Sequence, residues 1–445
     1  MLPGDRIPRT ILEHRRQRSP GRAPGAPGLH TLVLGGGGRE YAIAWALARS
    51  NSVATIDVIP GNAGMAIFAR TLDMDPTDIG RLDQHIAASR IDLAIVGPDE
   101  LVARGLGDAL RRTAIAVVGP SKEAGRIEWS KTFAKELMAE AGVPTATWRA
   151  FPDAASAAAA LGDGPVVVKA DGLAGGKGVV VARDRDEARS ALGSASISHG
   201  SVVLEEVLAG EEASLQALVD GETVVALPPA RDHKRVGQGD TGPNTGGMGA
   251  YSPAEVLPDD QAQGLADRLI APVAHALARR GTPYRGVIYA GLIRTSDGWK
   301  VLEYNARFGD PEAEVTLPRI EGDFGALMLA LGEGRLAAYV AERPLRFSSR
   351  AYVSVALCSA GYPGKPETGA AIEGLEHLPE GAWAFHAATK RVGTRTVTSG
   401  GRVIHVVGGG DTVADARRVA YMGAEKISWP GRFYRSDIAA QGVAV

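Results

Sequence analysis

Cysteine is all but missing from this chain: Cys358 is the only one in 445 residues. An internal disulfide framework and a cysteine-built metal cluster are therefore excluded. Scarcity of cysteine fits a reducing compartment, so a cytoplasmic location is expected. An excess of either charge is missing too. Lys and Arg total 49 against 51 Asp and Glu, a formal net charge of -2, so no overall field draws in nucleic acid or anionic lipid. No apolar run approaches the roughly 18 residues that a membrane helix needs. Small molecules are the expected partners, with no nucleic acid and no membrane.

What the chain does have is glycine, 57 residues of it, in clusters. Clustered glycines point to close approach of backbone to ligands rather than to low complexity. An apolar fraction of 45% and a charged fraction of 22% are ordinary for a globular protein. The length calls for more than one core, since single cores stop growing near roughly 250–300 residues. Residues 1–29 stand apart, rich in Arg, Pro and Gly and without the apolar centre of a secretory signal. They are expected to be a disordered extension, or the product of a start codon placed too far upstream.

Residues 30–34, 54–59, 91–96 and 114–118 read as short buried strands, each stopped by Gly or Pro. Strands alternating with helices predict an N-terminal doubly wound parallel sheet, with ligands at the carboxyl ends of its strands. From 121 the pattern changes. A helix over 121–142 is followed by closely spaced strands at 166–169, 179–182, 202–206, 213–219 and 223–227, which predict an antiparallel sheet over a site. A long helix at 259–280 precedes a hairpin, 285–294 with 299–305. Strands at 352–358, 382–386 and 402–407 and a helix at 413–428 predict a small closing α+β domain. The expected divisions are 30–130, 131–345 with a lid within about 131–206, and 346–445.

The densest chemistry lies in 231–253, where Arg231-Asp-His-Lys-Arg235 leads into a glycine-rich run that ends at Pro253. The stretch is too polar for a core element and too dense in unlike groups for a linker, so it reads as a functional loop. Asp232, His233, Lys234 and Arg235 give acid, base and two cations. Residues 244–248 are expected to offer exposed backbone N–H groups to whatever those charges hold.

Gly35-Gly-Gly-Gly-Arg39-Glu40, between a strand and a helix, suits an anion at a helix N-terminus. The phosphate of a small substrate, a dinucleotide and a structural turn all remain open, though Glu40 occupies the third glycine of the dinucleotide fingerprint. Lys169 ends a strand, and Gly175-Gly176-Lys177 follows. Two lysines around flexible backbone are what a polyphosphate requires, and Lys131 supplies a third cation. Leu204-Glu-Glu-Val-Leu208 with Glu211 and Glu212 fits an adenine read by backbone and a ribose held by a carboxylate, or a solvated acidic turn. In Glu303-Tyr-Asn305-Ala-Arg307, alternate residues share one strand face. Glu303 and Asn305 suit Mg²⁺, which takes few protein oxygens besides phosphate. Arg307 would pair with a phosphate or a carboxylate.

Taken in order, these motifs resemble the glycinamide ribonucleotide synthetase family of the ATP-grasp superfamily. The resemblance runs from about Leu32 to Ile438. It includes Pro60-Gly-Asn-Ala-Gly64, Lys169-Ala-Asp-Gly-Leu173, all of 231–253, Arg307-Phe-Gly-Asp-Pro-Glu312, Gly400-Gly-Arg402 and Arg435-Ser-Asp-Ile438. It implies a central ATP-grasp fold and a monomer or weak homodimer. It implies an ATP-dependent joining of glycine to 5-phosphoribosylamine through glycyl phosphate, with ATP and Mg²⁺, or Mn²⁺, as cofactors. Lys131, Lys169, Lys177 and Arg307 would be catalytic. Gly175, Gly176, Glu205, Glu206, Leu208 and Glu212 would join the three lysines at ATP. Gly37, Arg39, Glu40, Asp232, Lys234, Asn244, Gly247, Met248, Arg307 and Asp310 would bind the acceptor and amino acid, and Glu303 and Asn305 the metal.

Four departures from the family pattern stand out: Tyr41 for a usual His, Gly97-Pro-Asp-Glu-Leu-Val102 for Gly-Pro-Glu-Ala-Pro-Leu, Trp129 for a small residue, and Glu314 for a usual Gln. Several of them are expected to fall where the acceptor or glycine lies. A paralogue with another amine or amino acid is therefore the alternative reading.

Overall fold

The computed structural model describes residues 28–173, 178–194, 197–198 and 200–443. Strands β1 (Leu29–Gly35), β2 (Val53–Pro60), β3 (Arg70–Thr71), β4 (Leu93–Val96) and β5 (Ala116–Val118) form a parallel sheet in the order β3-β2-β1-β4-β5. Leu32, Val33, Leu34, Val58, Leu93 and Ala94 are wholly buried, as aliphatic strands covered on both faces must be. Strand order reverses between β1 and β4, and their carboxyl ends open the crevice expected of such a sheet. Gly36 allows the turn after β1: a Cβ there would fall 2.5 Å from the carbonyl oxygen of Gly61. Edge strand β3 is new, too short to show a period.

The helix expected over 121–142 is broken. Arg126–Trp129 and Lys131–Glu140 are separate helices, divided at Ser130. Ser130 has extended backbone and its hydroxyl accepts from the Phe133 N–H, a cap worth about 1 kcal/mol. That cap puts Lys131 at the first position of its helix. The helix expected over 259–280 is likewise two, Asp259–Leu269 and Ala271–Arg279. Pro272, in the first turn of the second, has no N–H to carry the first one onward.

The closely spaced strands divide between two sheets. β6 (Trp148–Phe151), β7 (Val166–Ala170), β8 (Val179–Ala182) and β9 (Val202–Glu205) make an antiparallel lid sheet in the order β6-β9-β7-β8. β10 (Glu211–Asp220) and β11 (Thr223–Ala226) belong to the next. The polar stretch that follows is not a loop. It holds β12 (Arg231–Asp232), β13 (Arg235–Gly237), β14 (Thr241–Asn244) and β15 (Gly249–Ser252). The hairpin β16 (Arg285–Thr295) and β17 (Gly298–Asn305) completes the second sheet, β11-β10-β16-β17.

A small pair, β18 (Ile320–Glu321) with β19 (Arg346–Phe347), leads to the C-terminal strands β20 (Ala351–Cys358), β21 (Ala382–His386), β22 (Thr389–Val392), β23 (Arg395–Thr398) and β24 (Arg402–Gly410). The C-terminal sheet runs β12-β15-β20-β24-β21, so the polar stretch supplies two of its five strands. Met248, Ala250, Tyr251 and Ser252 are wholly buried there. The helix Val413–Lys426 packs on the sheet through Ala416, Ala420 and Ala424.

Arg435 fastens the polar stretch from outside. Its guanidinium, 2% exposed, meets Asp240 Oδ1 at 2.7 Å, Asp437 Oδ2 at 2.7 Å and the Arg235 carbonyl at 2.9 Å. The Ala439 N–H donates to His233 Nε2, and the Gly239 N–H to Asp437. Arg435→Ala should lose about 2 kcal/mol of stability, less than for a fully buried pair because Asp240 is half in water. Urea unfolding, with an unchanged m-value, checks this.

Candidate active site

A cleft of ≈ 650 Å³ lies between the parallel sheet, the lid sheet and the second sheet. Lys131, Lys169, Glu205, Glu206, Leu208, Glu212, Arg39, Asp232, Lys234, Asn244, Glu303, Asn305, Arg307 and Asp310 all line it. Residues far apart in sequence are thus gathered at one place. Gly175, Gly176 and Lys177 lie outside the described residues.

On the lid side, Glu205 is buried between two lysines, 3.0 Å from Lys135 Nζ and 2.9 Å from Lys169 Nζ. It therefore holds cations in place rather than facing a ribose. Lys169 also donates to the Leu302 carbonyl at 3.0 Å, and Lys131 to that of Gly172 at 2.8 Å. Lys135 hydrogen-bonds Thr145 Oγ1 at 2.7 Å. Burial pushes its pKa down to about 8 against the pull of Glu205, with Lys169 adding to the push. Glu206 accepts from the Thr147 N–H at 2.9 Å, and Glu212 lies 3.4 Å from Lys234 Nζ.

On the strand side, Glu303 and Asn305 sit two apart on β17. Burial alone would raise Glu303, but Lys234, Lys169, Lys131 and Arg307 hold it below the usual carboxylate range. An ionised carboxylate and an amide oxygen on one face form a hard donor set that fits Mg²⁺. Arg307 Nη2 is 2.8 Å from Glu128 Oε1 and 3.4 Å from Asn305 Oδ1. The alternation that placed these residues is broken once, by a bulge in β17 against Gly291 and Leu292.

At the other end, Asp310 is held down to about 2: burial opposes, while Arg402, His405, Arg39 and Arg307 favour the charge. Asp232 is pushed up to about 7 by burial, against Lys234 and with the help of Glu312, Glu212 and Glu303. Arg39 pairs with Glu40 at 2.6 Å and reaches the Phe308 carbonyl.

Several expected substrate contacts are otherwise engaged. Glu40 is buried, and its Oε2 caps the Gly37 N–H at 2.6 Å. Gly37 and Glu40 thus close a helix start, and neither lines the cleft. Gly247 and Met248 lie outside it as well. The N–H groups of 245–248 are all donated within the protein, to the Lys234 carbonyl, the Tyr362 hydroxyl, Thr245 Oγ1 and the His233 carbonyl. This connection between β14 and β15 thus has no N–H group to spare. Met248 is also wholly buried, its sulfur 4.0 Å from Cys358.

Tyr41 does not face the cleft. It packs on Phe385, Phe68 and His386, with ring centroids 5.0, 5.4 and 5.9 Å away. Trp129 is half-buried beside Arg126. Four cleft residues escaped the sequence reading. Glu128 is buried, with Oε2 accepting from the Ala306 N–H at 2.8 Å. Glu312 takes the Ser214 hydroxyl at 2.9 Å. Asp99 lines the wall within the second departure. Arg402 spans Asp310 Oδ1 at 3.0 Å and the Gly246 carbonyl at 2.6 Å. Arg402 and Glu312 stood inside quoted motifs, so a signal existed for both.

Comparison with known proteins gives three matches in chain order. The N, ATP-grasp (A) and C domains of phosphoribosylglycinamide synthetase match residues 29–128, 129–313 and 352–441. This chain belongs to the phosphoribosylglycinamide synthetase family. A family member, the phosphoribosylamine–glycine ligase of Mesorhizobium japonicum, is 43% identical over 424 residues, covering 94% of this chain and 99% of its own. The crystal structure of a phosphoribosylamine–glycine ligase from Thermotoga maritima matches with TM-score 0.78 at 34% identity, covering 92% of this chain and all of that one. The MgADP-bound biotin carboxylase domain of a Hydrogenobacter thermophilus 2-oxoglutarate carboxylase, 17% identical with TM-score 0.67 over 91% of each chain, shares the fold.

Lys135, a cation of this family member's lid side, generates a test. Lys135→Met leaves Glu205 with one lysine. KM for ATP should rise about tenfold, the equivalent of roughly 1.4 kcal/mol. In the native enzyme the Lys135 charge is lost as pH rises through about 8, so KM for ATP should climb there and stay flat in the variant. Steady-state kinetics at varied ATP and pH check both.

Proposed function

We infer that the protein joins glycine to 5-phosphoribosylamine at the expense of ATP, giving glycinamide ribonucleotide, ADP and phosphate in purine biosynthesis. One observation carries the reading: in a chain similar along 94% of its length to a phosphoribosylamine–glycine ligase, phosphate-suited lysines, a metal-suited strand and an acceptor-suited Arg–Asp pair line one cleft. A paralogue with another amine is set aside, because the curated relatives carry the ligase name over nearly their full length.

The chemistry needs two displacements. The glycine carboxylate attacks the γ-phosphorus, giving glycyl phosphate and ADP. The amine of phosphoribosylamine then attacks the acyl carbon, phosphate leaves, and the new amide sheds one proton. Positioning and charge placement dominate such reactions. Lys131 and Lys169 would offset charge on the transferring phosphoryl group, and Arg307 would hold the carboxylate or its acyl phosphate. Gly175, Gly176 and Lys177 keep an ATP role on the sequence alone. Glu303 and Asn305 would hold Mg²⁺, or Mn²⁺ with its similar taste for oxygen, and the bound ion supplies neutralisation of phosphate oxygens. Arg39, Asp232, Lys234, Asn244 and Asp310 would receive the acceptor and the amino group of glycine. The single, buried cysteine supports a reducing cytoplasm, and among the described residues no helix is long and apolar enough to cross a membrane. A monomer or weak homodimer completes the reading.

Phosphate release should require ATP, glycine and phosphoribosylamine together; turnover indifferent to glycine would sink the assignment. Glu303→Ala should cut kcat by about a hundredfold or more. Unchanged ADP formation in that variant would disprove the metal strand.

A further inference from the structure

Behind Asp310, at the acceptor end of the cleft, lie two side chains that the proposed chemistry does not use, Glu314 and His405. Asp310 follows β17, Glu314 lies in the helical turn Ala313–Thr316, and His405 is on β24. Glu314 and His405 are 0% exposed. Among the described residues, both Glu314 oxygens and His405 Nε2 find no hydrogen-bond partner. The imidazole stands between two carboxylates: Nδ1 is 3.7 Å from Glu314 Oε1, and Nε2 is 3.8 Å from Asp310 Oδ1. Ser354 Oγ on β20 lies 3.5 Å from Nδ1. Arg402 on β24, Arg39 on the first helix, Arg307 just after β17 and Glu312 at the cap of the same turn are the other charged groups that bear on the cluster.

The half-buried Asp310 and the buried Glu314 have one committed cation between them. Arg402 pairs with Asp310 and is held there by the carbonyls of Gly246, Gly247 and Asp310. Among the described residues Glu314 has no cation within ion-pair distance apart from a protonated His405, so charging it alone is costly. Burial and Asp310 push the Glu314 carboxyl up, while burial lowers His405 to about 4. Both effects leave one proton for the pair. A divalent ion would meet the same need, since the three side chains offer ligand atoms within 4.8 Å of one another. Two facts favour the proton. The two ring nitrogens face different carboxylates, and Arg402 already places a positive charge 3.0 Å from Asp310 Oδ1.

We propose that Glu314 and His405 share one buried proton and act as positioning residues for Asp310. With the proton on Glu314 aimed at Nδ1, His405 must carry its own hydrogen on Nε2 and present it to Asp310 Oδ1. Asp310 Oδ2 is then left toward the loop at Gly37, where a Cβ would lie 3.5 Å from it. That oxygen is the one available to a donor group of the acceptor. Both gaps are longer than a hydrogen bond, so the chain tightens when the acceptor pulls on Asp310. Gly38 makes the approach feasible: a Cβ there would fall 2.5 Å from Glu314 Oε1 and 2.9 Å from the His405 ring. The assignment rests on the cleft taking phosphoribosylamine.

The test has a spectroscopic arm and a kinetic arm on the full-length protein. ¹⁵N-histidine NMR should show His405, assigned through His405→Gln, as a neutral Nε2–H tautomer that does not titrate from about pH 6 to 9. In kinetics, Glu314→Leu should raise KM for phosphoribosylamine about tenfold and leave KM for ATP within about twofold. Glu314→Gln restores a donor to Nδ1 that cannot ionise. It should return KM to the native value at neutral pH and remove any rise in acceptor KM at alkaline pH. An imidazolium or an Nδ1–H tautomer would overturn the proposal. So would equal effects on both KM values, or a divalent metal that co-purifies in stoichiometric amount and leaves on chelation. Absence of glycine-dependent turnover would refute the functional reading instead, and the NMR arm would still decide the proton.

Discussion

The register between β15 and β20 decides where the charges of the cleft stand. Gly249 to Ser252 pair with Val355 to Tyr352, and Arg231 and Asp232 pair back on Tyr251 and Ala250. Asp232 and Lys234 therefore enter from the edge of a five-stranded sheet rather than from a free loop. A slip of one residue would turn Asp232 to the other face. Arg435 guards against that slip by joining the polar stretch to the last residues of the chain. Arg402, on the same sheet, reaches across to Asp310 and so ties the C-terminal strands to the end of β17. The C-terminal segment is thus part of the site's scaffold, not a cover placed over it.

Within that frame the cleft balances its own charges. Lys135 and Lys169 share Glu205, Arg307 has Glu128, Lys234 has Glu212, and Arg402 has Asp310. An entering polyphosphate meets cations whose side chains are already fixed by carboxylates and carbonyls. Its gain would come from fixed geometry more than from net positive charge. This arrangement also explains how a chain of formal net charge -2 can build an anion site: the cations are concentrated, and their partners stand behind them.

Chemistry carried by local spacing was legible in the sequence. Strand alternation put Glu303 and Asn305 on one face of β17, while Arg307 lies just beyond the strand's end, and the Gly and Pro stops marked the strand ends of the parallel sheet. Contacts between distant segments were not legible. Glu128 meets Arg307 from 179 positions away, and Arg402 meets Asp310 from 92 away. The polar stretch misled because strand signals rest on apolar alternation, and its one continuous buried run is the short segment from Gly247 to Ser252. Its N–H groups looked free to a ligand and are consumed by neighbours instead. The breaks at Ser130 and Ile270 were visible as a cap and a following proline, but helical periodicity on both sides outweighed them.

The departures from the family pattern divide by what lies around them. Tyr41 is enclosed by Phe68, Phe385 and His386, where a residue answers to packing and not to a substrate. Trp129 lies against Arg126, one residue before the Ser130 cap. Asp99 touches the cleft wall, where another acid is usual. Glu100, in place of Ala, adds an exposed charge paired with Arg104, whereas Glu314 adds one that is buried behind Asp310, facing His405. An altered residue behind a wall changes how the wall group is held and protonated, while the atoms that an acceptor meets stay the same. Retained reaction and altered sequence are therefore compatible here, because the substitution that bears most on the site acts through a residue the family motif keeps.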